Sequence, residues 1–110
     1  MEIAEQQASD VTFVEVNGRI DSNTAKLFGE RLTGLIKAGR LRLVVDLKNI
    51  NYISSAGFRA LLVAGRLAEE TNVTLALCSL SAEVQRLFDL GAFTELFMIY
   101  GSRDEAVIAR

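Results

Sequence analysis

Residues 41–59, which read LRLVVDLKNINYISSAGFR, decide the fold. After Arg42, the first part of this stretch (residues 41–47) is nearly continuous in apolar side chains, which is typical of a central strand buried on both faces. A short extended piece at residues 51–53 leads into two adjacent serines and then into a helix expected over residues 56–71. The stretch therefore predicts a buried strand, a polar turn and an apolar helix in succession.

The segments on either side continue this alternation. Further strands are predicted at residues 11–16, 73–78 and 96–100, with a weak edge strand at residues 2–5. Further helices are predicted to begin at the capping residues Asp21 or Ser22, Ser81 and Ser102. Because so few residues separate the first two strands, we expect them to form a hairpin. The sequence thus predicts an α/β fold, one domain over residues 1–110 with a mixed sheet of four to five strands and about four helices.

Composition excludes several classes of function. The 110 residues carry a formal net charge of −2, so there is no basic excess to neutralise phosphates, and direct nucleic-acid binding is disfavoured. Histidine is absent, which removes Ser-His-Asp and Cys-His catalysis and His-ligated zinc. The single cysteine, Cys78, excludes an internal disulfide and is expected to be a small buried hydrophobic residue.

The sequence also predicts a protein without a membrane span. Its longest uncharged stretch, residues 71–82, has 12 residues, whereas a membrane-spanning helix needs about 20. Glu2 and Glu5 occupy the place of a basic signal-peptide segment, and no apolar run follows them. We therefore expect a cytoplasmic protein.

No motif for a cofactor is apparent. Residues 34–39 have the glycine spacing of a phosphate-binding loop, but they lack its Lys-Ser/Thr pair and precede a strand instead of following one. Asp21 and Asp46 are carboxylates that the fold can bring together, yet two carboxylates without a third ligand make a weak metal site. We expect no cofactor and no metal.

The adjacent serines Ser54 and Ser55 have two interpretations. Serine is a good N-cap, so one of them is expected to satisfy free N–H groups at the start of the helix. The first turn of a helix also presents the positive end of its dipole, where a phosphate is tolerated. Gly57 keeps the turn small and lets another chain approach closely. Local chemistry leaves both a structural cap and a phosphorylation site open.

Three segments carry a resemblance to a known family. They are Gly18-Arg19-Ile20-Asp21, Val45-Asp46-Leu47 and the box YISSAGF at residues 52–58. In this order and spacing they resemble the STAS-domain anti-sigma factor antagonists, small bacterial proteins regulated by serine phosphorylation. The resemblance spans nearly the whole chain and implies the STAS fold.

The resemblance implies a role for the residues of the box. The phosphorylated serine of the family falls on Ser55. The preceding residue, often Asp in the family, is Ser54 here, and the following residue, often Ser or Thr, is Ala56. Asp21 matches a family aspartate near the partner surface and can cap the first helix at the same time. The implied partner-binding residues are Asp21, Ser54, Ala56, Gly57, Phe58 and Arg59.

The family also implies a mechanism. The unphosphorylated protein binds an anti-sigma factor that is itself an ATP-binding serine kinase, and a sigma factor is released. Phosphorylation of Ser55 then switches binding off, and a phosphatase resets the protein. In this scheme the chain is a phosphoacceptor substrate and not an enzyme.

Such docking needs an exposed face on the second helix. Phe58, Leu61 and Leu62 are the apolar candidates, but we expect at least two of them to pack against the sheet. Arg59 and Arg66 are more plausible surface residues. Arg59 lies one turn inside the helix, where it is expected to meet the phosphate or an acidic partner residue.

Other functions stay open at this point. The main alternative is a non-phosphorylated STAS subunit of a lipid-transport or stress-signalling complex. A detached regulatory domain of an anion transporter is a further possibility, although such domains are fused to membrane helices that this sequence lacks. A small enzyme is disfavoured because histidine and a nucleophile–base pair are missing, and direct nucleotide binding has no local motif.

Overall fold

Strands and helices alternate along the chain in the computed structural model, which describes residues 1–109. The strands are β1 (Glu2–Ala8), β2 (Val11–Ile20), β3 (Arg42–Ile53), β4 (Thr74–Cys78) and β5 (Met98–Tyr100). The helices are α1 (Ala25–Lys37), α2 (Ser55–Glu70), α3 (Ala82–Leu90) and α4 (Arg103–Ile108), with a short 3-10 helix at Thr94–Leu96.

The strands form one mixed sheet in the order β1-β2-β3-β4-β5. β1 pairs antiparallel with β2 through a tight turn at Ser9, where φ is +58°. The pairs β2–β3, β3–β4 and β4–β5 are all parallel. The predicted hairpin, mixed sheet and number of elements are therefore confirmed.

The sheet separates a large core from a small one. The large core joins α1, α2 and α3 to the sheet and includes the fully buried side chains of Phe28, Leu61 and Phe88. The small core lies under α4, and its buried members are Val11, Phe13, Val44, Cys78 and Ala106. Cys78 is 0% exposed, as predicted, and loss of solvation raises the pKa of its thiol.

Two arginines attach α4 to the rest of the molecule. The Nε of Arg103 lies 2.7 Å from Oδ2 of Asp46, a carboxylate that is 1% exposed, and an Nη of Arg103 lies 3.0 Å from Glu15. Arg42 donates to the carbonyl oxygens of Ala106 and Val107 at the other end of the helix. A helix of six residues is thus held by charged contacts at both ends.

The central strand β3 is longer than predicted. Its residues 43–47 are all buried, in agreement with the apolar pattern, but the strand continues without a break to Ile53. The exposed Lys48 and Asn49 interrupt the pattern where the register against β2 shifts. At this irregularity the N–H of Lys48 donates to Oδ1 of Asp46 at 3.0 Å. Such bulges leave a backbone group unpaired, and here a side chain satisfies it.

The strands at the two edges of the sheet also differ from the prediction. β1 extends to Ala8 because each of its residues pairs with β2. β5 begins only at Met98, because the preceding residues form the short 3-10 helix. Within residues 1–109, no helix has the length and apolar character needed to cross a bilayer.

Candidate functional site

The candidate site lies where β2 and β3 leave the sheet side by side. Ile20 and Ile53, the last residues of these strands, are register partners and both are buried. The N–H of Ser54 donates to the carbonyl oxygen of Ile20 at 2.8 Å. This bond places the turn after β2, which begins with Asp21, directly beside the start of α2.

Ser54 is the N-cap of α2. Its backbone is extended (φ −89°, ψ 172°), and its Oγ accepts a hydrogen bond from the N–H of Gly57 at 3.2 Å. The Ser54 carbonyl accepts from the N–H of Phe58 at 3.0 Å, which closes the first helical turn. The prediction that one of the two serines caps the helix is confirmed, and the serine is Ser54.

Ser55 differs from its neighbour in both position and surroundings. It is the first residue of α2, and its side chain is exposed. Its hydroxyl has no hydrogen-bond partner among residues 1–109. A hydroxyl in this position is accessible to another molecule, and changing it breaks no contact of the fold.

Glycine is required at position 57 because the start of α2 packs closely against the ends of β2 and β3. A Cβ at this position would lie 2.7 Å from a side-chain carbon of Ile20 and 2.7 Å from one of Ile53. Gly57 is therefore buried against the ends of β2 and β3. The structure thus gives Gly57 a packing role within the chain, and the expectation that another chain approaches closely here stays a prediction.

Phe58 fixes the start of α2 to the core. Its ring stacks on Phe93 with centroids 4.3 Å apart and meets the edge of Phe88 at 4.8 Å. Phe58 is 6% exposed and Leu61 is 0% exposed, so the prediction that at least two of the three apolar candidates pack inside is confirmed. The expectation of a partner contact through the Phe58 ring does not fit this burial.

Asp21 organises the turn that precedes α1. Its Oδ1 accepts from the N–H of Asn23 at 2.9 Å and from the N–H of Thr24 at 3.1 Å. These bonds, first that from Asn23, lower the pKa of Asp21, and Arg19 at 4.0 Å acts in the same direction. The helix itself begins at Ala25, with Thr24 in the cap position, so the prediction that Asp21 or Ser22 is its N-cap is wrong. Asp21 instead caps the preceding turn.

Sequence reasoning missed the pair of Arg19 and Tyr52 beside this turn. The two residues are register partners, and the guanidinium of Arg19 lies 4.5 Å from the centre of the Tyr52 ring. Both residues stand in the quoted motifs, but their contact depends on a register that a single sequence does not reveal.

The surface of the site consists of few side chains. Ser55, Ala56 and Arg59 are exposed, while Ser54 and Asp21 are partly buried beside them. Arg59 has no ion pair or hydrogen bond with the described part of the chain. Residues 54–59, all predicted to be partner-binding or phosphorylation residues, thus lie together at the start of α2. The hydrogen bond between Ile20 and Ser54 places Asp21, which follows Ile20, beside them.

Two clefts lie away from this surface. One of about 620 Å³ is bordered by Leu62 and Phe97 on the side of α2 that faces β5. Another of about 360 Å³ lies between α1 and α2 near Val63. Neither is lined by residues 54–59 or by Asp21.

The carboxylates Asp21 and Asp46 do not come together as a metal site. Asp46 is bonded to Arg103 and to the N–H of Lys48, and Asp21 is bonded within its own turn. Among residues 1–109, no cluster of three or more His, Cys, Asp or Glu side chains is placed to hold a metal ion.

Comparison with known proteins assigns the family. The family model of the STAS domain matches residues 2–106. The chain belongs to the STAS domain family. Within this family, the STAS domain described here is 31% identical over 94 residues to BtrV of Bordetella bronchiseptica, a protein named as an anti-sigma factor antagonist. The match covers 86% of this chain and 81% of that relative.

Solved structures share the fold of this STAS domain. A Thermotoga maritima protein described as an anti-sigma factor antagonist superposes with a TM-score of 0.90 at 19% identity, covering 96% of this chain and 92% of that one. SpoIIAA of Bacillus, described as a cell fate determinant, superposes in its phosphorylated form with a TM-score of 0.73 at 14% identity, covering 97% of each chain. At these identities the likeness concerns the fold, and it confirms the predicted STAS architecture.

Proposed function

We propose that this STAS domain is an anti-sigma factor antagonist controlled by phosphorylation of Ser55. The unphosphorylated form binds an anti-sigma factor that is also a serine kinase, and this binding frees a sigma factor. Phosphorylation of Ser55 switches the binding off, and a phosphatase restores it. Since the partner kinase and the sigma factor act on transcription, the proposal places the protein in the cytoplasm.

One observation carries this proposal. The Ser55 hydroxyl is exposed and has no partner among the described residues, while the adjacent Ser54 hydroxyl is engaged as the helix cap. A kinase can therefore modify Ser55 without removing a contact of the fold. The relative named as an anti-sigma factor antagonist and the phosphorylated form of SpoIIAA, which shares the fold, are in keeping with this role.

The chemistry is a phosphoryl transfer in which this chain supplies only the acceptor. Ser55 Oγ attacks the γ-phosphorus of ATP, the bond between that phosphorus and the bridging oxygen breaks, and ADP leaves. The hydroxyl proton passes to a base of the kinase, which also supplies the nucleotide and its magnesium. The STAS domain is then a substrate and not an enzyme.

The position of Ser55 accounts for a switch without unfolding. A phosphate adds a charge of about −1.5 to −2, and at the first turn of a helix this charge faces the positive end of the dipole. The domain therefore stays folded while its docking surface becomes strongly negative. Because Phe58 and Gly57 are buried, they hold this surface in place, and Ser55, Ala56 and Arg59 form its exposed part.

Phosphate mapping tests the proposal. The protein is incubated with ATP and the serine kinases of the histidine-kinase-like fold from its own organism, and the modified residue is identified by mass spectrometry. Ser55→Ala is expected to abolish labelling, and Ser54→Ala, the matched control, to retain it. Labelling that survives Ser55→Ala and disappears with Ser54→Ala would show that the acceptor is the wrong serine.

Binding measurements test the switch itself. Ser55→Asp is expected to weaken the complex with the kinase by roughly tenfold to a hundredfold, which is about 1.4 to 2.8 kcal/mol. Ser55→Asn, of nearly the same size but uncharged, is the control and should bind more tightly than Ser55→Asp. If the wild-type protein binds the kinase but is never labelled, the domain acts as a non-phosphorylated subunit of a larger complex.

A further inference from the structure

Arg59 is the charged residue nearest to Ser55 along α2. It lies four positions after Ser55, and residues 55–62 contain no other charged side chain. Both residues are exposed, and Arg59 makes no ion pair or hydrogen bond with residues 1–109. A free guanidinium thus stands one helical turn from a free hydroxyl.

Helix geometry brings these two side chains together. Residues four apart lie on the same face of a helix, with Cβ atoms about 5–6 Å from each other. An acidic group placed four positions before a basic one is the favourable order for such a pair. Arginine also matches phosphate geometrically, because its planar fork donates two N–H groups to two oxygens.

We propose that Arg59 binds the phosphate of phosphorylated Ser55 within the same helix. The inference rests on the proposed function only in taking Ser55 as the phosphorylated residue. Phosphorylation then changes the charge of the partner-binding surface in two ways. It adds a dianion at Ser55, and it engages the guanidinium of Arg59, which is then no longer free to contact other molecules.

The other groups near the site are less suited to this role. Arg19 is stacked on Tyr52 and lies 4.0 Å from the carboxylate of Asp21, so its charge is already engaged. Asp21 is itself an anion and repels a phosphate. Of the two arginines, Arg59 is thus the one whose guanidinium makes no hydrogen bond, ion pair or ring contact with residues 1–109.

The same geometry distinguishes the two serines. Four positions after Ser54 stands Phe58, which is 6% exposed and apolar. A phosphate on Ser54 would have no cation in the corresponding place and would also remove the cap bond to Gly57. The placement of Arg59 therefore favours Ser55 over Ser54 as the residue at which a phosphate is stabilised.

The test measures the second pKa of the phosphate. Phosphoserine is incorporated at position 55 of the full chain during translation, and the phosphate is titrated by ³¹P NMR in the otherwise wild-type protein and in Arg59→Gln. Arg66→Gln is the matched control, because Arg66 is exposed on the same helix but lies about 16 Å from position 55 along the helix axis. Loss of a neighbouring cation raises the pKa of an acid, so we expect a value higher by roughly 0.3 in Arg59→Gln.

The outcomes separate cleanly. A raised pKa in Arg59→Gln alone, with a difference that shrinks at 1 M salt, supports the pair. Equal values in the wild-type protein and Arg59→Gln overturn it, and so does an equal rise in Arg66→Gln. Because translation places the phosphate, this measurement does not depend on a kinase. A kinase that fails to label Ser55 would contradict the proposed function, whereas an unchanged phosphate pKa would contradict the role of Arg59 alone.

Discussion

The main-chain nitrogen of Ser54 lies 2.8 Å from the carbonyl oxygen of Ile20, and this hydrogen bond joins two turns that are more than thirty residues apart in sequence. On one side of the bond the Asp21 turn leads into α1, and on the other Ser55 begins α2. The contact depends on the parallel pairing of Ile20 with Ile53, so the sheet sets the distance between the aspartate turn and the serine box.

The close packing of Gly57 leads to a first prediction. Gly57→Ala is expected to destabilise the domain by about 1–3 kcal/mol, because the added carbon would overlap both Ile20 and Ile53. Gly65→Ala in the same helix is the control, since its Cβ would meet only Phe97 at an ordinary 3.8 Å. The control should be neutral or stabilising by up to about 1 kcal/mol. Urea unfolding measures both, and equal effects would contradict the packing argument.

Removal of the Ser54 hydroxyl and removal of the Ser55 hydroxyl are expected to change the stability of the domain by different amounts. Ser54→Ala loses the bond to the Gly57 N–H and should cost about 1 kcal/mol, a usual value for an N-cap. Ser55→Ala removes a hydroxyl without a partner in the described chain and should change the free energy of unfolding by less than about 0.5 kcal/mol. Thermal and urea unfolding of the two variants provide the comparison. A larger loss in Ser55→Ala would show that its hydroxyl has a structural role.

The attachment of α4 leads to a third prediction. Arg103→Gln leaves the carboxylate of Asp46 buried without its cation, and we expect a loss of about 3 kcal/mol. Arg86→Gln is the control, because Arg86 is exposed and has no ion pair within residues 1–109. Chemical unfolding at neutral pH measures the difference between the variants. A loss no larger than that of the control would mean that the pair adds no net stability.

The lowered pKa of Asp21 leads to a dependence of stability on pH. Because the hydrogen bonds from Asn23 and Thr24 favour the carboxylate, its contribution is present above the unfolded pKa of about 3.9 and is lost as pH falls through the lower folded value. Asp21→Asn lacks this titration. We therefore expect the stability difference between the wild-type protein and Asp21→Asn to be constant near neutral pH and to change below about pH 4. Parallel curves of unfolding free energy against pH would contradict this account.

Much of the fold was predictable because apolar periodicity follows local geometry. The buried core of β3, a cap at one of the two adjacent serines and the caps at Ser81 and Ser102 all agree with the structure. The prediction failed where tertiary contacts overrule local pattern. The continuation of β3 through Lys48 and Asn49 depends on pairing with β2, and the late start of α1 depends on the Asp21 turn.

The candidate site was predictable in its residues but not in their roles. The serine box could be found because a cap, a glycine and an apolar helix follow one another in the sequence. The burial of Gly57 against Ile20 and the stacking of Phe58 on Phe93 depend on side chains brought together by the fold. The pair of Asp46 and Arg103, separated by 57 positions, leaves no local signal at all.

The burial of Cys78 under α4 protects its thiol from oxidants and alkylating reagents. Thiol oxidation and alkylation proceed through an accessible thiolate, and this sulfur is both shielded and reluctant to ionise. Peroxide or a maleimide should therefore leave the Cys78 thiol of the folded protein unmodified. Since Cys78 is the single cysteine of the sequence, a second cysteine introduced on the surface would be the one reactive thiol of the folded protein and could carry a spectroscopic label without interference from Cys78.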